Sequence, residues 1–138
     1  MAFISPHGDL RYEFIATTNI AEFQRFIDTK MDGLEGALLV MDRHPAHRNV
    51  GIKAALEAKG LEILHLPTNS SALNPVEHLW AVVKREFASA LVRHKGNPVD
   101  IKCTLKMILD RLSLKKIQDI AKCQLGPLTK VVLENHIV

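Results

Sequence analysis

The chain has 138 residues, 47% of them hydrophobic and 24% charged, enough for one core and short for two. No apolar run approaches the ~20 residues needed to cross a bilayer, and Met1-Ala-Phe-Ile-Ser-Pro6 lacks the basic and apolar regions of a secretory leader. A soluble intracellular protein with no membrane partner is expected, nuclear in a eukaryote or cytoplasmic in a bacterium. The formal net charge of +3 divides unevenly: seven Lys/Arg face ten Asp/Glu through Val83, net −3, and eleven face four from Lys84 to Lys130, net +7. An anionic partner would sit on the second half, although solvated amphipathic helices carry the same pattern.

In chain order, Ala2–Ser5 and Leu10–Ala16 read as two strands joined by the turn residues Pro6-His7-Gly8-Asp9, a hairpin. Asn19 then caps a helix with Glu22 at its third position, and Ile20, Phe23, Ile27 and Met31 recur at helical spacing up to Asp32-Gly33. Gly36–Asp42 is a short apolar run ending in a carboxylate, the pattern of a strand buried on both faces of a parallel sheet. A helix over Arg48–Lys59, with Ile52, Ala55 and Leu56 inward and Gly60 as its stop, leads to a strand over Leu61–Pro67. Strand, helix and strand with short links make a βαβ unit with parallel strands.

Asn74-Pro75-Val76-Glu77 is a strong helix start, with Asn capping and Pro at the first helical position, and the helix should run to about Leu91. Its expected inward stripe is Val76, Trp80, Val83, Phe87 and Leu91, with Glu77, Ala81, Lys84 and Ala88 in a row beside it. A break at Gly96-Asn97-Pro98 opens a helix over Val99–Leu112 with the stripe Ile101, Leu105, Ile108 and Leu112. Ser113 leads into a further helix that ends before Gly126-Pro127, and residues 128–138 fit either helix or strand. Cys103 and Cys123 lie in separate helical patterns without metal-ligand spacing, as reduced thiols do. Nothing in the pattern marks a second domain, so residues 1–138 read as one.

Two carboxylates stand out. Asp42 ends a buried strand, where ligands bind in open α/β sheets, and Glu77 lies one turn into the helix after the neighbouring strand, so the fold can bring both to one sheet edge. Mg²⁺ favours such oxygen ligands, and two ions about 4 Å apart can activate a hydroxyl and stabilise the leaving oxygen of a phosphodiester. The plainer alternatives are that Asp42 caps the turn into the next helix and that Glu77 completes a capping box with Asn74.

Leu39-Val-Met-Asp42-Arg-His-Pro-Ala-His47, the strand ending His65-Leu66-Pro67, and Leu73-Asn-Pro-Val-Glu-His-Leu-Trp80-Ala-Val-Val-Lys84 together resemble the second half of a mariner-superfamily DDE transposase domain. In that family an apolar strand ends in the second catalytic Asp, usually followed by Asn and, five residues after the Asp, by His; these positions hold Asp42, Arg43 and His47. The third acid falls on Glu77, with 34 residues between the two. The resemblance implies an α/β fold of ribonuclease H-like type, a mixed sheet flanked by helices with extra helices at the C-terminal end. It also implies two Mg²⁺ or Mn²⁺ ions, cleavage and transfer of DNA at transposon ends, and a possible homodimer. Asp42 and Glu77 are the expected catalytic and metal-binding residues, and His47, Lys84 and Arg85 the expected nucleic-acid contacts.

The family's first Asp stands on a central strand that precedes the hairpin, so this sequence reads as a domain incomplete at its N-terminus, lacking the first central strand. Asp9, Asp28, Asp32 and Glu35 lie on a turn or a helix end and do not replace it. The strand's absence would leave unpaired sheet edges or force a different pairing. The helix-turn-helix modules that read transposon ends are not found either. As this stretch alone, the chain is expected to be inactive; the alternative is a non-catalytic DNA-binding remnant of a transposable element.

Overall fold

The elements of the computed structural model, which describes residues 1–94 and 99–123, follow the expected order. They are β1 (Ala2–Ile4), β2 (Leu10–Tyr12), α1 (Ile20–Lys30), β3 (Leu38–Met41), a 3₁₀ turn at Pro45–Arg48, α2 (Val50–Ala58), β4 (Glu62–His65), a second 3₁₀ turn at Ser71–Leu73, α3 (Pro75–Arg93), α4 (Ile101–Asp110) and α5 (Leu114–Lys122). The expected break at Gly96-Asn97-Pro98 and the tail from Gly126 lie outside the described residues. The chain divides into two compact units, one made of Met1–Ala2 with Arg11–Asn74, the other of Phe3–Leu10 with the described residues from Pro75 onward.

In the first unit, Asn19 has extended backbone angles and its side chain accepts the N–H of Glu22 at 2.9 Å, which starts α1 as the sequence predicts. Glu22 does not complete a capping box; its carboxylate pairs with Arg25 at 2.5 Å. Phe23, Phe26, Ile27 and Met31 are buried, while Ile20, first residue of the helix, is 46% exposed. Asn49 caps α2 by accepting from Gly51 and Ile52, and Ile52 and Leu56 are fully buried. Gly60 ends the approach to β4 at a φ of 72°, a left-handed conformation that only glycine adopts at little cost. Its carbonyl accepts the N–H of Gly36 at 2.8 Å, so the loops that feed β3 and β4 start together.

Strands β3 and β4 pair in parallel, with Leu38 opposite Glu62 and Met41 opposite His65. The βαβ unit is therefore as expected, but β3 is not buried on both faces. Only Met41 is buried and Leu38 is 48% exposed. The reason is pairing: among the described residues β3 has one neighbour, β4, and the hairpin forms a sheet of its own. The hairpin is antiparallel, since Ser5 bonds Asp9 at its turn and Met1 and Glu13 exchange bonds at its open end. It is shorter than the alternation to Ala16 suggests.

The second unit packs α4 and α5 against α3. Leu79, Val83 and Ala90 are the buried residues of α3, so its inner face is turned from the expected stripe, and Leu91 is 44% exposed. On α4 the buried residues are Thr104 and Leu109, and Ile101 is 62% exposed. Ser113 caps α5, which buries Ile117, Ile120 and Ala121. The hairpin turn rests on this helix: Gln118 Nε2 donates to the His7 carbonyl at 3.2 Å, and Leu114 covers Gly8. Cys103 and Cys123 are free exposed thiols, as expected. No helix among the described residues is long and apolar enough to cross a membrane.

Candidate active site

Asp42 directly follows the last residue of β3, where the chain turns into the 3₁₀ turn at Pro45. Its Oδ1 accepts the backbone N–H of His44 at 3.0 Å, the turn that Asp side chains make with the residue two positions on, and meets His47 Nδ1 at 2.7 Å. The turn-capping role is thus real, but it occupies one oxygen only. Oδ2 has no hydrogen-bond partner among the described residues, and the side chain is 51% exposed. Partial burial works to raise the pKa of this carboxyl, but the His44 N–H and the neighbouring His47 outweigh it, and the group lies below its ordinary 3.8.

The His47 ring is fixed from behind by Phe23 of α1, with centroids 4.7 Å apart, and lies 5.6 Å from the ring of His44. His65, last residue of β4, brings its Nδ1 to 3.3 Å from the Asp42 carbonyl. Arg43 stands where the resembled family usually has Asn; its Nε donates to the carbonyl of Leu66 at 3.0 Å, tying the ends of β3 and β4 together. It makes no ion pair with Asp42 among the described residues.

Glu77 is the third residue of α3 and is exposed. The backbone N–H of Asn74, which a capping-box glutamate takes, donates to Ser71 O at 2.9 Å instead. The Glu77 carboxylate takes no hydrogen bond or ion pair among the described residues. Glu77, Ala81, Lys84 and Ala88 are all exposed, as is Arg85, so the row predicted along this helix exists. Lys84 and Arg85 form no ion pair among the described residues.

Within the first unit the structure brings Asp42 and His47 into contact; Glu77, Lys84 and Arg85 share α3 in the second. As donors, an ionised carboxylate with one free oxygen and an exposed glutamate suit a hard divalent cation. No group of three or more His, Cys, Asp or Glu side chains that could hold a metal converges among the described residues. Sequence reasoning missed His44 and His65. An Asp two positions before a residue that itself precedes Pro is a signal for the His44 turn; nothing local marks His65, whose position comes from the parallel register.

No curated protein matches the sequence. The family model of the DDE superfamily endonucleases matches residues 1–97, from β1 through α3, and so takes in Asp42, His47, Glu77, Lys84 and Arg85. Endonucleases of this family act on DNA and generally use divalent metals, and the α/β arrangement of small sheets with five α-helices among the described residues agrees with their ribonuclease H-like fold. With more than half of its length matched by that family model, the chain belongs to the DDE superfamily endonucleases.

Proposed function

We propose that Asp42 and Glu77 are two of the three catalytic carboxylates of a mariner-type transposase that cleaves and transfers DNA at transposon ends. The observation that carries this is Asp42: an ionised, half-exposed carboxylate at the end of a parallel strand, with one oxygen fixed by His44 and His47 and the other free. Mg²⁺ or Mn²⁺ bound at such acids supplies an activated hydroxyl and stabilises the leaving oxygen. The protein's part is to hold ionised oxygens ready: Asp42 through its turn, Glu77 through a helix start whose capping does not use it. Lys84 and Arg85 contact phosphates. For His47, the contact with Asp42 favours a positioning role over the direct DNA contact expected from the motif. Two such catalytic domains acting as a homodimer would serve two transposon ends.

Two of three acids leave the site one ligand short, so residues 1–138 by themselves are expected neither to nick nor to join DNA in Mg²⁺ or Mn²⁺. Metal-dependent nicking of supercoiled plasmid that disappears in Asp42→Ala would overturn that. The carboxylate itself is tested by adding substoichiometric Mn²⁺ to this chain and recording imidazole proton resonances. Selective broadening of His44 and His47 relative to His7, abolished in Asp42→Asn, is the expected result. Uniform broadening, or broadening that survives in the variant, would leave the non-catalytic DNA-binding reading in its place.

A further inference from the structure

Between the end of α3 and α4, within the second unit, lies an open cavity of about 230 Å³. Its walls carry Arg93, His94 and Arg111, and Thr104 lies against it. Met107, Ile108 and Ala90 make its floor apolar. None of these residues belongs to the carboxylate site or to the row containing Glu77.

Among the described residues the charges here are not used up. Arg93 is the last residue of α3 and Arg111 caps α4, so their plainest task is to offset helix C-termini, each worth roughly half a negative charge. Two such ends offset about one of the two guanidinium charges. The nearest carboxylate in sequence, Asp110, is ion-paired with Lys106. Arg93 and Arg111 make no ion pair among the described residues, and Thr104, only 6% exposed, makes no hydrogen bond there with its hydroxyl. Among the described residues, a surplus of positive charge, a spare hydroxyl and an apolar floor therefore meet in one concavity.

Inorganic phosphate would leave the floor uncovered, and a purely apolar ligand would leave the guanidinium groups unanswered. A nucleotide answers both, with its phosphate on the arginines and the flat face of its base on Met107 and Ile108. The cavity is smaller than the roughly 300–1,000 Å³ of ordinary ligand pockets, so it takes one base and excludes a base pair. The strand must be single there. We infer that this cavity holds one unpaired nucleotide of a DNA strand, a contact separate from the chemistry at Asp42 and Glu77. From the family the inference takes only that DNA is the partner.

The test is a fluorescence titration of the chain with a labelled short oligothymidylate, the same strand with abasic sugars in place of thymidines, and a duplex of equal length. With no base to rest on the floor, the abasic strand should bind more weakly by roughly 5- to 100-fold. Arg93→Gln with Arg111→Gln should weaken the intact strand and remove most of its advantage over the abasic one. All three positions, Arg93, Arg111 and Met107, are exposed, and an unchanged circular dichroism spectrum checks that the variants fold. Met107→Glu should lower the affinity for oligothymidylate and leave the abasic strand less affected than the intact one. Equal affinity for intact and abasic strands, a preference for duplex, no binding of the intact strand, or indifference to both sets of variants would overturn the inference. The Mn²⁺ broadening at His44 and His47 reads the carboxylate reading separately, so either can fail alone.

Discussion

Asp42 Oδ1 and His47 Nδ1 lie 2.7 Å apart, with Phe23 packed on the imidazole from the other side. An ionised carboxylate only accepts hydrogen bonds, so the proton of this contact sits on Nδ1. The pair therefore transmits the position of α1 to the carboxylate through a buried phenyl and a half-buried imidazole.

His47→Ala should free the carboxylate to rotate and weaken Mn²⁺ binding at Asp42 by about 10- to 100-fold, the usual cost of removing a partner that orients a ligating group. His47→Asn, whose side-chain amide can donate to the same oxygen, should restore part of the affinity. Titration of the His44 resonance with Mn²⁺ reads both. Unchanged affinity in His47→Ala would return His47 to a direct DNA contact.

The lowered pKa of Asp42 gives a signed pH dependence. A carboxyl whose folded pKa is depressed contributes stability above its unfolded pKa, and that contribution is lost as pH falls through the folded value. The denaturation midpoints of the native chain and Asp42→Asn should therefore differ by a constant amount above the ordinary value of 3.8 and converge below it. Because the side chain is 51% exposed, the effect is small. A difference that grows on acidification would contradict the arrangement around Oδ1.

Glu77→Gln should leave thermal stability nearly unchanged, within about 0.5 kcal/mol, because the carboxylate makes no bond among the described residues. In a protein carrying all three acids the same substitution should abolish strand cleavage. A large fall in the melting temperature would instead assign Glu77 a structural task.

Lys84→Glu with Arg85→Glu should weaken duplex binding without regard to sequence. It should flatten the log–log dependence of affinity on salt by about 0.9 for each phosphate that is no longer neutralised. An unchanged slope at two salt concentrations would show that these charges only solvate α3.

Arg43→Ala should destabilise the first unit by about 1–3 kcal/mol, since the carbonyl of Leu66, a residue 1% exposed, is deprived of the guanidinium that satisfies it. Chemical denaturation measures this directly. Arg43→Asn, which restores the residue usual in the resembled family, should cost nearly as much, because the shorter amide does not span the two strand ends.

Local chemistry was the legible part. Asn19 and Ser113 start their helices with their own side chains, Pro75 is the first residue of α3, and Gly60 closes the turn after α2 by its backbone freedom, each where it was expected. Asp42 and Glu77, the acids the family's motif points to, stand exposed at element ends. Burial was less legible because it depends on what lies across from a residue. Leu38 looks like core in the sequence but meets one neighbouring strand among the described residues, and Ile101 belongs to a regular apolar stripe yet stands largely exposed. The cavity beside Arg93 and Arg111 was invisible for the same reason, since it exists only through the packing of α4 on α3.

At the hairpin turn, a β-carbon on residue 8 would stand 2.2 Å from Leu114 Cδ1, and the backbone there has a φ of 100°. Position 8 is therefore not free to drift on its own. In related sequences a side chain at position 8 should appear only where position 114 has become small and the turn has changed shape, so two sites far apart in the chain are bound to vary as one.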